Sequence, residues 1–177
     1  QDSSSAASDV YKRQSQGADW QGGDFAGVTQ MIESGYFEEL GVGALWLSPF
    51  NTAAEGTGKA ADGEHDVSAF HGYWPTEPRG IEPKLGTADE LHALIEAAHD
   101  QGIRVMMDFV VNHVHEEHTY YEENPEWFNA GCICGSANCD WTVHRLDCQF
   151  TSYMPDVNWK IRNASEQFID CLLYTSP

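Results

Sequence analysis

Basic residues are scarce in this sequence. Nine lysines and arginines stand against 28 aspartates and glutamates in 177 residues, a net charge of −19. So acidic a chain repels phosphate backbones, which argues against nucleic acid as a partner. Long apolar runs are missing as well: none approaches the roughly 18 to 20 residues that span a bilayer, so no membrane span is expected. Residues 1–8 are polar and serine-rich, without the apolar stretch of a secretory signal, and there is no initiator methionine.

What is present suits one globular domain, with 41% hydrophobic residues. Residues 1–14 and 171–177 lack the periodicity of the rest and read as foreign tails of the kind adapter read-through leaves. The first tail carries two acids and two bases and the second no charge, so residues 15–170 hold the whole of the −19.

Cys132, Cys134, Cys139 and Cys148 lie within 17 residues, apart from Cys171 in the second tail. An even local cluster fits two disulfides or a metal site. Cys132 and Cys134 are closer than the usual paired zinc ligands, and they are too close to bond readily to each other. Acidity and an oxidising compartment favour disulfides, and with them a secreted or periplasmic location; zinc stays open.

Periodicity alternates between helix and strand, the pattern of an α/β protein with a parallel sheet. Val28, Met31, Ile32, Tyr36 and Leu40 predict a helix over 27–40, stopped by Gly41. Residues 44–48 form a short strand, apolar on both faces until Ser48 and ended by Pro49. Thr87 and Glu90 form a capping box, followed by Leu91, Leu94, Ile95 and Ala98 at helical spacing. Gly102 closes that helix, and residues 103–109 read as a second buried parallel strand.

The helix-to-strand links are minimal, whereas the strand-to-helix links are long, 38 residues over 49–86 and 50 over 110–159. Loops that leave the carboxyl ends of parallel strands converge on one face and build active sites. The first carries His71-Gly72-Tyr73-Trp74-Pro75. The second starts beyond Asp108, in Asp108-Phe109-Val110-Val111-Asn112-His113. Aromatic rings beside histidine suit a sugar, because a flat ring covers the apolar face of a pyranose while imidazole and carboxylate reach its hydroxyls. Asp108 stands where a parallel strand ends, aimed at such a site.

Taken in order, residues 41–49 (GVGALWLSP), the H-G-Y-W stretch, residues 85–91 (LGTADEL), the D-x-x-x-N-H stretch at 108–113 and Met154-Pro155-Asp156-Val157-Asn158 resemble the alpha-amylase family of glycoside hydrolases. The resemblance runs from about Gly22 to Asn163. It implies a partial (β/α)8 barrel over 15–113, a small Cys-containing domain inserted after the third barrel strand over 114–159, and the start of the next barrel helix over 160–170. The substrate implied is an α-glucan such as starch or a malto-oligosaccharide.

By the same resemblance, Tyr73 would stack on the sugar next to the cleaved bond and His113 would hydrogen-bond its hydroxyls. His71 and Trp74 would line neighbouring positions, and Asp108 would hold the catalytic machinery in place. Asn112 and Asp156 would ligate calcium, clamping the barrel to the small domain through hard oxygen donors. Retaining hydrolysis needs two carboxyl groups roughly 5 Å apart. The family's nucleophile and acid follow its fourth and fifth strands, so this chain is expected to hold substrate and calcium contacts without the catalytic pair, and to be inactive alone. The alternatives are a related transglycosylase, a debranching or maltose- or trehalose-directed enzyme, or a non-catalytic carbohydrate-binding relative. Phe70 stands where many relatives have tyrosine, which removes one hydroxyl.

Overall fold

The computed structural model describes residues 18–59 and 64–174, so the reading of 1–14 as a tail lies outside the described residues. In chain order the elements are α1 (Phe25–Glu33), α2 (Tyr36–Glu39), β1 (Ala44–Leu47), β2 (Asn51–Ala53), β3 (Thr57–Lys59), β4 (Asp66–Ser68), β5 (Pro75–Ile81), α3 (Ala88–Asp100), β6 (Arg104–Met107), α4 (Thr119–Glu123), α5 (Trp141–His144) and α6 (Arg162–Tyr174). They form two units. Of the described residues, the first comprises those from Ala18 to Gly72 together with Ile81–Asp108; the second comprises Tyr73–Gly80 and those from Phe109 to Tyr174.

In the first unit β1 and β6 pair in parallel, Ala44 opposite Arg104 through Leu47 opposite Met107, as the alternating pattern predicts. α3 begins at the expected capping box: the Thr87 side chain accepts from the Glu90 N–H, and the Glu90 carboxylate accepts from the Thr87 N–H at 2.7 Å. Its apolar stripe of Leu91, Leu94 and Ala98 packs with Phe25 and Ile32 of α1 and with Ile103, while Leu45, Leu47 and Val105 close the same core from the sheet. Each fully buried leucine or isoleucine there contributes about 1.5–3 kcal/mol through loss of apolar contact with water.

Two expectations are corrected in this unit. The helix predicted over 27–40 starts at Phe25, capped by Asp24, and breaks at Gly35, whose φ of 79° lies in the left-handed region. Nor are β1 and β6 buried on both sides. Alternate residues face the helical core, but Trp46 is 70% exposed and Met106 51%, because among the described residues helices cover one face of this pair. The stretch over 49–86 is more regular than a loop, since it contains β2, the antiparallel pair β3 and β4, a 3-10 turn over Ala69–His71 and β5.

The second unit has its own core of Val114, Phe128, Val157, Ala164 and Phe168, with Tyr120, Tyr121, Trp127 and Ile161 packed around it. β5 is tied to α6: Arg79 donates to Asp170 at 2.7 Å, and the Cys171 thiol donates to the Pro78 carbonyl at 3.3 Å. α6 runs through Cys171 to Tyr174, across the boundary that composition suggested at 170/171, and Cys171 is fully buried. The other four cysteines pair as Cys132–Cys139 and Cys134–Cys148, which answers the choice between disulfides and zinc.

Candidate functional site

The local backbone explains why glycine separates His71 from Tyr73. Gly72 caps the 3-10 turn with φ 79°, its N–H donating to the Ala69 carbonyl, and a Cβ there would fall 2.1 Å from the Pro49 carbonyl oxygen. Only glycine meets both demands. The chain then passes into the second unit, where Tyr73 is 42% exposed and Trp74 is 5% exposed. Trp74 stacks on His115 at 5.9 Å and meets Tyr153 edge-on at 5.3 Å. It is therefore an anchor for the aromatic stretch, and its ring offers no open face to a ligand, contrary to the expectation that it lines a sugar position.

Tyr73, Asn112, His113 and Asp156 are brought together in the second unit. His113 and Asp156 form an antiparallel bridge, supported by Val157 N–H to the Asn112 carbonyl at 2.9 Å and Val114 N–H to the Pro155 carbonyl at 3.2 Å. The His113 Nε2 lies 3.1 Å from the Tyr73 carbonyl, and its Nδ1 lies 3.4 Å from the Asn112 amide nitrogen. Those partners fit one neutral tautomer, in which Nε2–H donates to Tyr73 and Nδ1 accepts from Asn112. Burial lowers the His113 pKa, opposed by the Tyr73 carbonyl and the Asp156 charge. Burial likewise raises Asp156, opposed by hydrogen bonds from the Phe150 N–H and the Asn112 side chain and by His113.

Phe150 belongs to this group and was not among the residues expected from the sequence. Its ring lies parallel to the His113 imidazole, 5.5 Å between centroids and 5° between planes, and its N–H donates to the Asp156 carboxylate at 3.0 Å. The available signal was an aromatic residue two positions after Cys148 and six before Asp156, but nothing in that spacing points to His113.

His71 and Asp108 belong to the first unit. His71 ends the 3-10 turn with its ring edge-on to Phe70 at 5.3 Å. Asp108 follows β6 directly, and its N–H donates to the Leu47 carbonyl at 2.9 Å, so it sits at the carboxyl end of the parallel pair as predicted. Among the described residues no three His, Cys, Asp or Glu side chains gather as a metal cluster. Asn112 and Asp156 are nevertheless oxygen-bearing side chains on bridged backbone, a donor chemistry that fits a hard cation when main-chain oxygens and water complete the shell.

Residues 4–174 match the family described as alpha amylase, catalytic domain. The chain is 33% identical over 116 residues to an alpha-amylase of Streptomyces lividans, covering 64% of this chain and 12% of that protein. It is 32% identical over 131 residues to a cyclomaltodextrin glucanotransferase of Geobacillus stearothermophilus, covering 70% and 17% respectively. Among solved structures, the alpha-amylase from Geobacillus thermoleovorans complexed with acarbose superposes with a TM-score of 0.70 at 26% identity, over 88% of this chain and 32% of that one. The chain thus spans less than a third of each of these relatives.

Proposed function

Because the chain belongs to the alpha-amylase catalytic-domain family, we propose that it is the substrate-gripping N-terminal part of a (β/α)8 barrel that acts on α-glucans with retention of configuration. Residues 114–159 are, in this reading, a small disulfide-containing domain inserted after the third barrel strand. The observation that carries it is the joining of Tyr73, His113, Asn112 and Asp156 by direct bonds and a backbone bridge. A half-exposed tyrosine whose main chain is fixed by a partly buried imidazole is a preorganised platform for a pyranose, and preorganisation lowers the cost of binding.

Tyr73 stacks on the sugar beside the scissile bond. His113 holds the Tyr73 main chain and shares its ring edge with a sugar hydroxyl. His71 lines a neighbouring position, and Asp108 orients the catalytic groups. The carboxyl pair of the retaining reaction is supplied by the later barrel strands of the family pattern, and the residues named here grip the α-glucan. Asn112 and Asp156 would hold calcium, which would supply charge neutralisation beside the two loops they belong to. The acidic surface and two disulfides support a secreted or periplasmic location. A cyclomaltodextrin glucanotransferase among the relatives supports transglycosylation as the second reading, with the same sugar contacts.

The test is calorimetric titration of this chain with maltohexaose and with cellohexaose. Selective binding of the α-linked oligosaccharide, weakened about tenfold or more by Tyr73→Ala, is expected from loss of an aromatic stacking partner. Equal or absent binding of both would refute the α-glucan reading.

A further inference from the structure

His115 is buried, at 8% exposure, although a polar imidazole loses hydration there. Its neighbours are aromatic. The ring stacks on Trp74 at 5.9 Å and 30° between planes, and it lies 6.1 Å from Tyr153, which itself meets Trp74 edge-on. Each of the three rings thus touches the other two. The main chain is tied at the same place: His115 N–H donates to the Pro75 carbonyl at 3.0 Å, Glu116 N–H to the Tyr153 carbonyl at 2.9 Å, and His118 N–H to the His115 carbonyl at 3.0 Å. Two residues earlier, His113 holds the Tyr73 carbonyl. The exposed ring of Tyr73 therefore projects from a stretch whose backbone is fixed at 73 and 75 and whose intervening side chain, Trp74, rests on His115.

We propose that His115 is a positioning residue for the sugar platform, which in its neutral form clamps Trp74 against Tyr153 and so fixes the backbone from which Tyr73 meets the pyranose. The inference rests on the α-glucan reading of Tyr73. Trp74 is too enclosed to touch a ligand, so its effect passes through the backbone that it shares with Tyr73. The neutral ring is the form that fits, because Nδ1 accepts from the Glu117 N–H at 3.3 Å and a protonated ring has no acceptor to offer. Burial moves protonation below the ordinary value of 6.5, opposed by the Glu117 carboxylate, 3.9 Å from Nδ1, and by Glu116. From the other segments packed on it, the titratable side chain set against it among the described residues is Tyr153. The clamped state binds fewer protons at His115 than the released state. Its contribution to sugar affinity is therefore complete above 6.5 and is lost as pH falls below that value.

The experiment is titration of the wild-type chain, His115→Phe and His115→Ala with maltohexaose between about pH 5 and pH 7.5, with circular dichroism at each pH. An amide NMR pH series of the wild type follows the Tyr73 N–H beside the His113 and His115 rings. His115→Ala is expected to weaken binding about tenfold at pH 7.5, the size of one lost aromatic contact. His115→Phe keeps the stack without a titrating group; it should bind within about twofold of wild type at pH 7.5 and weaken less than wild type toward pH 5. In the wild type the Tyr73 amide should shift with the midpoint of the His115 ring, distinct from that of His113. A Tyr73 amide that ignores the His115 titration, or equal pH profiles for wild type and folded His115→Phe, would overturn the inference while sparing the α-glucan reading. Should His115→Phe fail to fold, the wild-type NMR series decides alone. If the wild-type chain binds no maltohexaose at any pH, the α-glucan reading itself fails, and this inference with it.

Discussion

The imidazole of His113 donates from Nε2 to the main-chain carbonyl of Tyr73 across 3.1 Å, so the segment that follows Asp108 fixes the backbone of the segment that follows His71. A bond of this kind to a partly buried ring contributes on the order of 1 kcal/mol, and it orders the main chain beneath a tyrosine ring that is left open to solvent. His113→Ala removes the tether and the surface on which Phe150 lies. Maltohexaose affinity is expected to fall at least about tenfold, with far-ultraviolet dichroism unchanged, by titration of the purified variant. Undiminished affinity would mean that Tyr73 is positioned without His113.

Gly72 permits no side chain. In Gly72→Ala a methyl group meets the Pro49 carbonyl oxygen at 2.1 Å, at a φ of 79° that alanine adopts at a cost of about 1–2 kcal/mol. With the clash added, the variant is expected to lose at least about 2 kcal/mol in urea denaturation, since a buried overlap forces backbone shifts. Gly56→Ala, with nothing within 4 Å of the added carbon, is the matched control.

Stability should depend on pH through His118. This side chain is 1% exposed, accepts from the Tyr120 N–H through Nδ1 at 3.0 Å, and packs against Tyr120 and Phe168. Burial pushes its pKa down to about 4 from 6.5. The folded state then binds fewer protons than the unfolded state between those values, so unfolding free energy rises with pH across the window. The contribution is complete above about 6.5 and is lost as pH falls toward 4, up to about 3 kcal/mol. Urea midpoints at pH 4.5 and 7.5 measure it, and His118→Asn should reduce the difference, leaving the smaller part due to His113 and His115, whose pKa values burial also lowers. An equal difference in the variant would remove His118 as its source.

Reduction should act locally before it acts globally. The Cys134–Cys148 bond closes a segment with a sequence separation of 14 residues, for which the chain-entropy estimate is about 3 kcal/mol. Cys134→Ser with Cys148→Ser is expected to raise hydrogen exchange over 132–150 while leaving the α1 and α3 amides protected, because those helices belong to the first unit. Thiol titration in denaturant should find one free thiol, Cys171, without reductant and five with it.

Calcium removal gives a separate test of Asn112 and Asp156. A ligand that binds only the folded state raises the melting temperature by mass action. The midpoint should fall when chelator is added to calcium-loaded protein, and Asp156→Ala should abolish the response. An unchanged midpoint would count against this pair as a calcium site.

Much of the first unit was legible in the sequence because its signals are local. The Thr87 and Glu90 pair announces α3, its apolar spacing identifies the buried face, and Gly41, Pro49 and Gly102 punctuate the neighbouring elements. The break at Gly35 was hidden, since the apolar periodicity continues on both sides of it and one residue's φ leaves no trace in that pattern. β2, β3 and β4 were hidden for another reason: three residues are too few to display a period of two. At the site, the motifs identified Tyr73, Asn112, His113 and Asp156 as one family pattern, and the structure brings them together. They did not reveal that Trp74 is buried.

By itself the sequence determined the alternation of helix and strand, the caps, the parallel pair and the family to which the chain belongs, all of which depend on neighbours in sequence or on ordered motifs. Tertiary structure alone decided which apolar residues would be covered and which rings would meet. Trp46 and Trp74 are the same residue type, yet one is mostly open and the other enclosed. Phe150 meets His113 where the Cys134–Cys148 disulfide and the Asp156 carboxylate hold its segment. Burial and ring contact are properties of packing between distant segments, and no local pattern encodes them.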